Sequence, residues 1–254
     1  MQGERFLQAG HFMTHDQTPH RPRPERGRFC TRPQEYGRSR LGAPLLWFAA
    51  SQPSKRSGLI IAGTHGDETA SVVALSCALR TLRPETQAHH VILAVNPDGC
   101  QLGTRANAWG VDLNRNFPAA NWQATETQYR WSEDTPVRDV QLGTGATPGC
   151  EPETEALCQL ITQLSPPWVI SFHEPLACIE DPLLSAPGAW LADAFALPLV
   201  RSVGYATPGS FGSWCADNAL HCITAELPAI SPDCANRDYL SAFTRLLTHP
   251  APGQ

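Results

Sequence analysis

An α/β domain with a largely parallel sheet covered on both faces is the fold class this sequence predicts, on three observations. Six short apolar or β-branched runs have strand length, segments between several of them space their apolar residues at the helical period, and 254 residues can bury the core of one domain. The strand runs are LLWFA (45–49), GLIIA (58–62), HVILAV (90–95), WVISF (168–172), LVRSV (199–203) and HCITAEL (221–227). After Asp67, the positions Val72, Leu75, Ala78, Leu79 and Leu82 predict a helix; Leu157, Leu160, Ile161 and Leu164 predict another behind Pro152. Tyr239, Leu240, Phe243, Leu246 and Leu247 signal a last one. NPDG (96–99) reads as a turn. Residues 119–150 hold Trp122, Tyr129 and Trp131 without a sustained period, as functional loops or disordered segments do. Residues 1–28 are polar and proline-rich and read as a flexible arm, leaving 29–254 as the domain.

Composition narrows the function classes. A net charge of −5 lacks the basic excess that nucleic-acid binding uses, and no apolar stretch is long enough to span a membrane, so a small-molecule or peptide partner is expected. The first 29 residues scatter charges and prolines and contain no apolar core of a secretory signal, which predicts a cytoplasmic protein. Nine cysteines, an odd number with no Cys-x-x-Cys pair, predict reduced thiols rather than a disulfide framework or a structural zinc knuckle.

The chemistry gathers at strand ends. His65 follows GLIIAG and Glu68 stands at the start of the next helix, so both belong at the carboxyl end of a strand, where open α/β sheets keep their sites. Imidazole nitrogen and carboxylate oxygen are both zinc ligands, and a catalytic zinc takes two histidines and one glutamate while leaving a position open. His173, directly after WVISF, supplies the second histidine. Taken singly, each of these is more often a hydrogen-bonding residue than a ligand; together they make a donor set. Glu226, in HCITAELP, is a carboxylate among apolar neighbours, costly unless paired or working, and can act as general base towards an attacking water and then as acid towards a leaving amine. Residues 96–118 add Arg105, Asp112, Asn114 and Arg115. An arginine fork binds a carboxylate or stabilises a developing oxyanion, and Asp112 could orient a ligand histidine, so a substrate with a free terminal carboxylate is expected.

THGDE, GVDLNRNFP, EPET (151–154), FHEP and AELP, in this order, make the chain resemble the zinc carboxypeptidase family over nearly all of residues 36–248. The resemblance implies one zinc per chain held by His65, Glu68 and His173, Glu226 as the base, Arg105 on the carbonyl oxygen, and Asn114 with Arg115 on the terminal carboxylate. It implies Asp112 as the partner of His65, and a central mixed, mostly parallel sheet flanked by helices. Within the family it points to amidases of cell-wall peptides, and so to the free murein tripeptide L-Ala-γ-D-Glu-meso-Dap, cut at the γ-D-glutamyl to diaminopimelate amide. Digestive zinc carboxypeptidases bring a tyrosine over the substrate from a loop between the last histidine ligand and the catalytic glutamate; Tyr205 is the one tyrosine in that interval here.

Rival chemistries find less support. There is no G-x-S-x-G elbow and no H-E-x-x-H, and GTGATPG (143–149) misses the dinucleotide fingerprint by one position. An N-acyl-amino-acid deacylase of the aspartoacylase type shares the His-x-x-Glu plan, but carries a further C-terminal domain where this chain ends soon after Glu226. A non-catalytic peptide-binding protein would have lost Glu226 or a ligand, and neither is lost.

Overall fold

Strands form where β-branched and apolar residues run together, and helices where apolar residues recur every three or four positions. The computed structural model describes residues 20–130, 132 and 134–249. In chain order the elements are β1 (Gln34–Arg38), β2 (Pro44–Trp47), β3 (Leu59–Ile61), α1 (Thr69–Thr81), β4 (His90–Ile92), α2 (Pro97–Leu102), β5 (Thr127–Tyr129), β6 (Val140–Leu142), α3 (Pro152–Leu164), β7 (Trp168–His173), β8 (Leu176–Glu180), α4 (Ala186–Phe195), β9 (Leu199–Val200), α5 (Phe211–Asp217), β10 (His221–Pro228) and α6 (Pro232–Thr248).

Six strands form the central sheet in the order β4-β3-β7-β10-β8-β9. All neighbours are parallel except β10 and β8, which makes the sheet mixed and mostly parallel, as the sequence resemblance implies. Each face is buried, for the reason the strand sequences give: alternate residues point to opposite sides and both sides are apolar at the centre. One face packs Ile60, Ile170, Phe172, Ile223 and Ala225 against residues of α1, α4 and α6. The other packs Leu59, Ile61 and Val169 against Leu157, Leu160 and Ile161 of α3 and Phe211, Trp214 and Cys215 of α5. Fully buried leucine, isoleucine and phenylalanine side chains here each contribute about 1.5–3 kcal/mol.

Several local expectations are revised. LLWFA contributes β2 to a separate two-stranded sheet with β1, although Phe48 still bridges Val91 of the β4 edge. NPDG is not a turn: Asn96 caps α2 by accepting the Gly99 N–H at 2.8 Å, and Pro97 occupies the first turn, where its missing N–H costs nothing. GTGATPG, which follows no convincing strand by sequence, comes directly after β6 and leads through Cys150 and Glu151 before α3 begins. The aperiodic segment 119–150 contains the β5–β6 hairpin; Trp131 within it lies outside the described residues. Of the expected arm, residues 1–19 lie outside the described residues, while residues 20–28 lie along α1. There the Arg21 guanidinium donates to the carbonyls of Arg28 and Arg80 at 2.9 and 3.0 Å, and Arg80 donates to the Arg26 carbonyl at 2.7 Å.

Candidate active site

The parallel strands β3, β7 and β10 all end at one edge of the sheet, and the polar residues at those ends meet there. After β3 the chain turns through Gly63, whose φ of 64° suits a residue without Cβ. Gly66 then lies so close to Gly99 of α2 that a Cβ on it would stand 1.9 Å from the Gly99 carbonyl carbon. This tight passage places His65 and delivers Glu68 as the N-cap of α1. Glu68 makes no cap hydrogen bond with its side chain; Glu174 caps the helix instead, accepting the Ser71 N–H at 2.8 Å. That leaves the Glu68 carboxylate free to face the histidines.

His65 Nδ1 lies 2.6 Å from Glu68 Oε1, His173 Nδ1 lies 2.9 Å from Glu68 Oε2, and the two Nδ1 atoms are 3.2 Å apart. All three side chains are buried. The far nitrogens are also held: His65 Nε2 is 3.2 Å from Asp112 Oδ1, and His173 Nε2 is 3.1 Å from Ser171 Oγ. With Nε2–H donating outward in each neutral ring, as a bound cation would require, both Nδ1 atoms would turn their lone pairs to the same spot beside the carboxylate. Burial and Arg105 work against charging His65, but Glu68 and Asp112 outweigh them and lift its pKa to about 9. Burial likewise opposes the charge on Glu68, yet the facing histidines hold its carboxyl well below the usual range.

Asp112 joins this corner to the next group. Its Oδ2 accepts from Arg105 Nε at 3.2 Å, and its Oδ1 accepts from the Asn114 N–H at 2.9 Å, capping the short 3-10 turn Leu113–Arg115. Arg105 donates as well to Glu68 Oε1 at 3.2 Å and lies over the Tyr129 ring, so the guanidinium is fixed beside the donor set. Arg115 donates to the Asn114 carbonyl at 2.6 Å, and Asn114 Oδ1 accepts the Phe211 N–H at 2.9 Å, tying both to the start of α5.

Glu226 sits beside His173 across the β7–β10 ladder. Its Oε2 accepts the Leu176 N–H at 3.4 Å, and burial, with Glu68 adding and His173 opposing, raises its pKa. A cleft of about 1160 Å³ takes in all eight residues singled out from the sequence, His65, Glu68, Arg105, Asp112, Asn114, Arg115, His173 and Glu226. Tyr205, half-exposed, stands in its lining together with Tyr129 and Arg138 of the hairpin region. Ser171, Glu174 and Glu180 were not legible as site residues, because their place depends on strand register; the acid in FHEP was the one available signal.

Comparison with known proteins decides the family. The zinc carboxypeptidase profile matches residues 27–175. The chain belongs to the zinc carboxypeptidase family. It is 67% identical over 231 residues to murein peptide amidase A of Escherichia coli K12, covering 91% of this chain and 96% of that one. With murein peptide amidase A of Vibrio campbellii the identity is 56% over 228 residues, 90% of this chain and 92% of the other. The crystal structure of murein-tripeptide amidase from Escherichia coli O157 superposes with a TM-score of 0.89 at 67% identity, covering 91% of this chain and 98% of that one.

As a member of this family the protein is a zinc-dependent hydrolase of peptide bonds. The donor set fits the ion: one ligand atom from each of His65, Glu68 and His173 lies within 4.8 Å of the others, the residue types are those of an open catalytic zinc site, and each imidazole has an outer partner. Among the described residues no helix is long and apolar enough to cross a membrane.

Proposed function

We propose that this family member hydrolyses the amide between γ-D-glutamate and meso-diaminopimelate in the free murein tripeptide L-Ala-γ-D-Glu-meso-Dap, in the cytoplasm, as a step in cell-wall peptide recycling. The observation that carries the reading is the 67% identity, extending over 91% of the chain, with a protein named murein peptide amidase A. Nine free cysteines, none in a disulfide, support a reducing compartment.

His65, Glu68 and His173 would hold the zinc, whose chemistry when bound is to polarise a carbonyl and acidify water. Glu226 takes the proton of the attacking water and returns it to the diaminopimelate nitrogen as the amide breaks, so the amine leaves neutral. The Arg105 guanidinium, fixed by Asp112 and Glu68, donates to the carbonyl oxygen as negative charge develops on it. Asn114 and Arg115 grip the carboxylate next to the cleaved nitrogen, which sets the scissile bond against Glu226.

A mass-spectrometric panel of free peptides tests the reading. The γ-D-glutamyl tripeptide is expected to be cleaved faster than N-acetyl-aspartate and faster than α-linked peptides ending in an aromatic residue. Faster cleavage of N-acetyl-aspartate would move the enzyme to the deacylases.

A further inference from the structure

The cleft continues below the reacting row of the sheet. His173, Glu226 and Cys178 lie side by side on β7, β10 and β8; two residues deeper, Ser171, Thr224 and Glu180 form the next row. Side chains two apart on a strand point to the same face, so Glu180 shares the face of Glu226, while Ile170, Ile223 and Ile179 are buried on the other. Ser171, Thr224 and Glu180 all line the cleft. Glu180 carries the one formal charge in this row. Its Oε1 accepts the Val203 N–H at 3.0 Å, its Oε2 has no protein partner among the described residues, and no described cation lies within ion-pair distance of it.

A half-buried carboxylate with one oxygen unpartnered, lining the same cleft as Asn114 and Arg115, matches a ligand that brings its own cation. Glu180 stands two residues along and one strand across from Glu226, about 8 Å away between backbones. The side chain of diaminopimelate, extended from the carbon beside the scissile nitrogen, brings its distal ammonium within reach of a glutamate side chain at that distance. We infer that Glu180 is a specificity residue that pairs with the distal ammonium of the residue on the leaving side of the cleaved bond. This rests on the function proposed above and adds to it the group that selects a diamino acid. The reversal of β8 makes the site possible: the strand starts at Leu176, paired with Pro228 and donating its N–H to Glu226, and runs back past Cys178 to Glu180.

The test uses L-Ala-γ-D-Glu-L-Lys and L-Ala-γ-D-Glu-L-norleucine, which differ only in the terminal ammonium. The zinc-loaded wild-type enzyme should cleave the lysine peptide at least about tenfold more efficiently, mainly through KM. Glu180→Gln keeps an acceptor for the Val203 N–H and removes the charge, so the lysine to norleucine ratio should fall towards one. A wild-type ratio near one overturns the inference whatever becomes of the variant, and an unchanged ratio in a folded Glu180→Gln overturns it too. Failure of the wild type to cleave any γ-D-glutamyl peptide would overturn the proposed function instead, so the two failures are distinct.

Discussion

A buried glutamate between two imidazole Nδ1 atoms is an expensive arrangement for a protein to keep without a cation to share it. His173→Ala removes one of three donors and is expected to lose most bound zinc by metal analysis; full occupancy in that variant would take His173 out of the site. Glu226→Gln keeps shape and hydrogen-bonding reach but cannot accept a proton, so kcat should fall by orders of magnitude while zinc and substrate still bind. Near-normal turnover would put the base elsewhere. In the proposed clamp, Arg115 would act through the geometry of its fork. Amidating the diaminopimelate carboxylate beside the cleaved bond should lower kcat/KM roughly a hundredfold, and Arg115→Lys should lose most of that discrimination, since an ammonium cannot reproduce two parallel contacts. Equal rates on free and amidated tripeptide would show that the clamp lies elsewhere.

Gly66 shows how an element can govern the site without touching substrate. Because its α-hydrogen faces the Gly99 backbone at the start of α2, Gly66→Ala must push either the His65 segment or α2 aside. A stability loss of about 1–3 kcal/mol is expected, with weaker zinc binding measured by competition with a chelator; unchanged zinc affinity would mean the segment adapts freely. The elements that carry donors were legible because β3, β7 and β10 are buried apolar runs followed at once by polar residues. β8 was not: LACIE follows Pro175, ends in a charge, and makes the sheet's single antiparallel contact, which only the fold reveals. α5 has seven residues, too few for a period, and α4 opens with Pro187 and Gly188, which read as a turn. The Asn96 cap, too, is a matter of side-chain direction, so NPDG alone suggested a turn. The kinds of residue at the site could be read from strand-end motifs. Ser171, Glu174 and Glu180 depend on register and on which helix lacks a cap, and those are properties of the assembled sheet.

On the scale of the whole molecule, His89 ties the sheet to the C-terminal end of α6. Its Nδ1 accepts the Gly58 N–H at 3.1 Å and its Nε2–H donates to the His249 carbonyl at 2.6 Å, so the ring is held neutral. Burial, only partly offset by the His249 bond, pushes its pKa down to about 4 from 6.5. A folded pKa below the unfolded one gives stability that is present above about pH 6.5 and is lost as pH falls through 4. At pH 5 the loss from this residue is about 2 kcal/mol. Urea titrations at pH 7 and pH 5 should therefore show a smaller pH difference for His89→Gln than for wild type, and an equal difference would assign the acid sensitivity to other groups.

Asp112 belongs to two assemblies at once: one oxygen is shared between His65 and the Asn114 backbone, the other holds Arg105. If, as proposed, zinc sits on His65 and the substrate carboxylate on Asn114 and Arg115, occupancy on one side would stiffen the carboxylate that the other side leans on. Thermodynamic reciprocity then requires that a carboxylate-bearing product tighten zinc by the same factor by which zinc tightens the product. Asp112→Asn should weaken zinc binding about 10–100-fold and shrink that mutual factor as well. Calorimetric titration of diaminopimelate into zinc-loaded and zinc-stripped protein reads the coupling directly, and additive, independent affinities would show that the two assemblies share an atom without sharing energy.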